Sequence, residues 1–116
     1  MGSLTTHVLD TSTGKPGAGM RIELFRVGDQ HRSLLTTTTN ADGRCDQPLL
    51  ADEAFRAGHY ELVFNVGDYY RAADVVIPDP AFLDQVVIRF GVAEPGQHYH
   101  VPLLVSPFGY STYRGS

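Results

Sequence analysis

Two histidines stand two residues apart near the end of the chain, in His98-Tyr99-His100-Val101-Pro102-Leu103-Leu104-Val105. A strand sends alternate side chains to opposite faces, so His98, His100, Pro102 and Leu104 share one face and Tyr99, Val101, Leu103 and Val105 the other. The second set reads as core. Two imidazoles beside a proline and a leucine suit the wall of a pocket or of a subunit interface better than a solvated surface. His7 lies outside its own core set in the same way, on a run in which Leu4, Thr6 and Val8 face one side and Thr5, His7 and Leu9 the other. The chemistry open to such a group is proton transfer, because the ordinary imidazole pKa lies near neutral pH. His31 and His59 sit beside turn residues and read as solvated bystanders.

Other residue types offer less. His-x-His can present two nitrogens to a metal from one strand face, with His7 a conceivable third, but no Asp, Glu or Cys stands at ligand spacing, and no metal site is expected. Cys45 has no sequence neighbour that would activate it and reads as a small buried hydrophobe. Gly14-Lys15-Pro16-Gly17-Ala18-Gly19 lacks the strand, glycine spacing and helix of a phosphate loop and reads as a turn. Asp10, Asp29, Asp42, Asp46 and Asp84 fall at strand ends and turns, where carboxylates cap and solvate.

The elements that position these groups are short strands. Leu4 to Asp10 predicts the first, ending at Thr11-Ser12-Thr13-Gly14-Lys15-Pro16-Gly17, and alternation at Met20, Ile22 and Leu24 predicts the second. Ser33 to Thr39, rich in β-branched threonine, predicts a third. Asn40-Ala41-Asp42-Gly43 is strong turn chemistry, after which Arg44 is expected to begin a short fourth strand. Ala51 to Ala57 predicts a loop or a short helix. Tyr60, Leu62, Phe64 and Val66 predict a strand, and 67–74 a short helix with Asp68 placed to cap it. Pro78 and Pro80 impose an extended connection. Val86, Ile88 and Phe90 make another strand, and the closing segment supplies two more around Ser106-Pro107-Phe108-Gly109. Seven or eight strands, with at most one or two short helices, predict an antiparallel sandwich or barrel.

The chain has 116 residues, the size of one domain, with no internal repeat or linker, so 1–116 is expected to be a single unit. No run of about 18 apolar residues is present, and no membrane span is expected. Nine basic against thirteen acidic residues give a net charge of -4. The basic residues are scattered, which gives no linear footprint for nucleic acid. One cysteine excludes an internal disulfide framework and fits a reducing compartment. The start, Met1 to His7, has no basic region followed by an apolar one, so the cytoplasm is expected, or the periplasm if a leader has been removed.

Taken together, His7-Val8-Leu9-Asp10, Gly14-Lys15-Pro16, Asp42-Gly43-Arg44, Tyr99-His100-Val101-Pro102-Leu103-Leu104 with Ser106-Pro107, and Tyr110-Ser111-Thr112-Tyr113-Arg114-Gly115-Ser116 closely resemble the transthyretin-related 5-hydroxyisourate hydrolases. The likeness spans essentially the whole chain, and the final Tyr-Arg-Gly-Ser marks the enzymes and is missing from transthyretin. The resemblance implies an all-β, transthyretin-like sandwich of two four-stranded antiparallel sheets with one short helix, assembled as a homotetramer, a dimer of dimers. It implies a channel between dimers where His7, His100, Leu104, Ser111 and Tyr113 fall. It carries over His7, Arg44, His100 and Ser116 as catalytic, with His7, Arg44 and Tyr113 binding 5-hydroxyisourate, and implies no cofactor or metal. His98 matches no essential position. Two other readings stand beside it: a carrier of a small aromatic ligand on the same fold, and an immunoglobulin-like interaction module.

Overall fold

Alternating apolar and polar side chains, with turn residues between the runs, build strands that each bury one face. The structure, a computed structural model that describes residues 1–115, forms them at Ser3–Asp10 (β1), Lys15–Pro16 (β2), Arg21–Val27 (β3), His31–Thr38 (β4), Leu50–Ala51 (β5), Gly58–Asn65 (β6), Gln85–Val92 (β7), His98–Ser106 (β8) and Gly109–Thr112 (β9). One α-helix, Val66–Ala72 (α1), follows β6, and a 3-10 turn spans Asp52–Ala54.

The strands form two sheets. One runs β2-β1-β8-β9, with β5 pairing the start of β1; the other runs β4-β3-β6-β7. Their inner faces meet in one core that includes Leu4 and Val8 of β1, Ile22 and Leu24 of β3, Leu62 and Phe64 of β6, Val86 and Ile88 of β7, and Tyr99, Val101, Leu103 and Val105 of β8. This is the expected mostly-β, transthyretin-like sandwich, and the assignment of β1 and β8 side chains to inward and outward faces follows the alternation read from the sequence. Within it β1 and β8 run parallel, while every other strand pair is antiparallel.

Two local expectations change. Arg44 does not open a strand: it makes a single bridge to His7, and the chain pairs again only at β5, because Asp46-Gln47-Pro48 supplies a proline that cannot donate to a ladder. Asp68 does not cap α1. Asn65 occupies the cap position without a side-chain bond, and Asp68 lies inside the first turn, where it pairs with Arg71 at 2.8 Å. A carboxylate there still meets the positive end of the helix dipole.

The outer end of β1 is pinned from below. Asp10 is buried, and its carboxylate accepts hydrogen bonds from the Tyr69 and Tyr70 hydroxyls of α1, each at 2.9 Å, and from the backbone of Ser12 at 3.0 Å. Burial alone would raise its pKa; these donors, with the Ser12 hydroxyl, hold it below the usual carboxylate range. Burial, and after it the same carboxylate, pushes the Tyr69 phenol up to about 12.

Candidate active site

β1 and β8 lie side by side in one register: Ser3 opposite His98, Thr5 opposite His100, His7 opposite Pro102 and Leu9 opposite Leu104. β9 extends the rows, with Ser111 opposite Leu104. The outward face therefore carries His7 and His100 as near neighbours, their ring centroids 6.4 Å apart and the planes tilted by 31°.

Arg44 reaches this face from a loop shaped by glycine and asparagine. The Asn40 side-chain oxygen accepts from the backbone of Asp42 at 2.9 Å and of Arg44 at 3.1 Å, and the Gly43 backbone nitrogen donates to the Asn40 carbonyl at 2.9 Å. Gly43 adopts φ of +75°, and a Cβ there would lie 2.4 Å from the Val8 carbonyl oxygen. Only glycine meets both conditions. The loop can then dock on β1, where the Val8 backbone donates to the Gly43 carbonyl at 2.8 Å and Arg44 bridges His7.

Arg44 and His100 line one cleft of roughly 400 Å³, together with Thr5, Thr6, His98 and the Cys45-Asp46-Gln47-Pro48 stretch. His7 flanks this cleft, against His100 and Arg44, and does not line it. Burial, and after it the Arg44 guanidinium, lowers the pKa of both imidazoles; His7 and His98 add to the effect on His100, while Asp42 partly offsets it at His7. Both rings are therefore neutral at pH 7 and able to accept a proton. Burial pushes the Cys45 thiol up, away from the reactive thiolate. Among the described residues, no three His, Cys, Asp or Glu side chains gather as a metal ion would need.

The end of the chain returns across the site. Thr112 donates to the Pro102 carbonyl at 2.7 Å, and the Gly115 backbone donates to the His100 carbonyl at 2.7 Å. A Cβ on Gly115 would sit 2.7 Å from His100 Cδ2, so this residue must be glycine for the chain to lie against the imidazole. Arg114 holds the crossing: its guanidinium lies 3.8 Å above the Tyr99 ring and donates at 3.1 Å to both Gln97 Oε1 and the His98 carbonyl. Tyr113 stays 61% exposed and does not line the cleft. Ser116 lies outside the described residues. Thr5 and Gln47 are cleft residues that pattern reading passed over, since neither carries a motif; the outward position of Thr5 beside His7 was the available signal.

A family model described as the HIUase/Transthyretin family matches residues 4–115. The chain belongs to the HIUase/transthyretin family. Within the family it is similar to the 5-hydroxyisourate hydrolase of Pseudomonas aeruginosa, with 66% identity over 100% of this chain and 93% of that protein. Among solved structures it resembles an (S)-allantoin synthase at 44% identity and a TM-score of 0.94, covering 99% of this chain. This chain spans only 44% of that longer one. A sea bream transthyretin solved in complex with thyroxine superposes with a TM-score of 0.87 over 97% of this chain and 94% of its own, at 24% identity, which bears on the fold alone.

Proposed function

We propose that this protein is a 5-hydroxyisourate hydrolase, a cyclic amide hydrolase of urate breakdown. The observation that carries the reading is the convergence of Arg44 and His100 in one cleft, with a second neutral imidazole, His7, alongside, in a chain so similar to proteins of that name. The substrate is a flat, oxygen-rich purine derivative. Water attacks a ring carbonyl, the carbon-nitrogen bond of the ring amide breaks, the nitrogen leaves with a proton, and the carbonyl carbon becomes the carboxylate of 2-oxo-4-hydroxy-4-carboxy-5-ureidoimidazoline. One of His7 and His100 takes the water proton as general base and the other orients or donates. Arg44, with its fixed fork of donors, binds acceptor oxygens and stabilises the negative charge that develops on the attacked carbonyl. Tyr113, which stands outside the cleft of the single chain, contributes to substrate binding, and Ser116 to catalysis, only as the family likeness implies. None of these steps calls for a metal or cofactor.

The site is built in a dimer of dimers. What supports this is the outward row of His7, His100, Leu104 and Ser111 and the exposure of Tyr110 and Tyr113 beside it, a face mixing imidazole with apolar groups. A single 1–116 unit working in the cytoplasm fits the lone cysteine.

The test generates 5-hydroxyisourate freshly from urate with a uricase and follows its ultraviolet decay. Acceleration over the spontaneous rate is expected, and His7→Ala, Arg44→Ala and His100→Ala should each lower it about 100-fold or more, in keeping with the usual size of acid-base and electrostatic contributions. No acceleration by the unaltered protein overturns the enzyme and leaves the carrier and the interaction module.

A further inference from the structure

His98 belongs to none of the roles above, yet it is wired to His100. Thr5 Oγ1 lies 2.8 Å from His100 Nδ1 and 3.2 Å from His98 Nε2, and Ser3 Oγ lies 2.7 Å from His98 Nδ1. The two rings are nearly coplanar in orientation, 11° apart, with centroids 6.3 Å from each other. The parallel register of β1 and β8 produces this, since it sets Ser3 against His98 and Thr5 against His100 on the outward face. The row runs along the cleft wall from half-buried His100 to exposed His98.

Each hydroxyl owns one proton, and each neutral imidazole owns one, so with every contact used the row has two senses. In one, His100 carries its proton on Nδ1, donates it to Thr5, and Thr5 donates on to His98; Nε2 then offers a lone pair. In the other, His98 donates to Thr5, Thr5 donates to His100 Nδ1, and the His100 proton sits on Nε2. Among the described residues His100 Nε2 has no hydrogen-bond partner, which leaves that nitrogen for a ligand.

We propose that Thr5 and His98 form a proton relay to His100, in which Thr5 is the positioning residue that decides which ring nitrogen of His100 carries the proton. The proposal rests on reading His100 as a proton-transfer group. When the water O–H bond breaks and Nε2–H forms, the Nδ1–H bond breaks, the Thr5 hydroxyl gains that proton and passes its own to His98 Nε2, and His98 releases its Nδ1 proton through Ser3 to solvent. The ring ends neutral, in the sense that can donate from Nε2 to the departing ring nitrogen. Among the described residues, Arg44, His7 and His98 each disfavour a positive charge on His100, and Asp46, which lines the same cleft, is not among the groups that act on it. A relay that keeps the ring neutral answers that arrangement.

Thr5→Val removes the hydroxyl and keeps the shape, and Thr5→Ser keeps the hydroxyl. Thr5→Val should lower kcat about tenfold with KM within about twofold, and Thr5→Ser should recover most of the loss. His98→Phe should lose about as much as Thr5→Val, and the double variant no more than either, because both break one wire. A Thr5→Val enzyme with unaltered kcat, or losses that simply add, overturns the relay. A second readout needs no turnover: the imidazole nitrogen-15 shifts of His100, which report its tautomer, should change in Thr5→Val and His98→Phe and hold in Thr5→Ser. Unchanged shifts in all three overturn the proposal even if the protein hydrolyses 5-hydroxyisourate, and changed shifts in a protein without hydrolase activity show that it is the hydrolase reading that failed.

Discussion

Arg44 acts on two imidazoles at once, because its guanidinium adds to burial in lowering the pKa of both His7 and His100. A depressed histidine pKa keeps the basic form present as pH falls below the ordinary value near 6.5. Activity should therefore persist on mild acidification and fall only through the lowered pKa. Arg44→Ala removes one of the two main causes, so the titrations of both rings, followed by nuclear magnetic resonance, should move up toward the ordinary value; midpoints that stay put would mean that burial alone holds them down. At this scale the sequence was a good guide to the imidazoles, since alternation in Gln97 to Val105 separates His100 from Tyr99 and Val101 without any other knowledge. It placed Thr5 on the outward face and said nothing of its role. A single hydroxyl has no periodicity, and its importance arises from a register between segments 95 residues apart.

The elements locate the chemistry through a few exacting contacts. The Asp10 carboxylate ties the end of β1 to α1, and Tyr70→Phe, which removes one of its donors, should lower stability by about 2 kcal/mol in urea unfolding, the usual worth of a hydrogen bond to a charged group. Because the Asp10 pKa is depressed in the folded state, its contribution is complete above the ordinary carboxylate value, about 3.9, and is lost as pH falls through the lower folded value. The stability gap between the unaltered protein and Asp10→Asn should accordingly shrink in acid, and a gap constant from neutral pH to about pH 3 would contradict that linkage. The closing segment is tied as tightly. Removing Arg114 to Ser116 deletes the guanidinium on Tyr99 and the backbone bond to His100, so it should cripple turnover while circular dichroism still reports a folded domain. Strands and faces were legible because a two-residue period survives any tertiary setting. The role of Arg44 came from motif likeness alone, and the single bridge that replaces its expected strand depends on a proline four residues on and on the space left by Gly43.

The whole molecule raises the question of assembly. A stable tetramer at working concentration is expected in sedimentation velocity, and a fully active monomer would contradict a site completed between dimers. The order of strands and turns was enough for an antiparallel sandwich or barrel, and the family likeness supplied the two sheets, whereas the parallel pairing of β1 with β8 was legible in neither strand, since nothing in either announces its neighbour. That pairing also has a temporal consequence. Closing a loop of 95 residues costs about 4 kcal/mol of chain entropy beyond a constant, so β1 and β8 can join only late in folding. During synthesis β1 leaves the ribosome well before the partner that brings His100, 95 residues further along the chain. Until β8 emerges the nascent chain carries an open sheet edge along β1, and the pair of imidazoles His7 and His100 exists only once β8 has joined it.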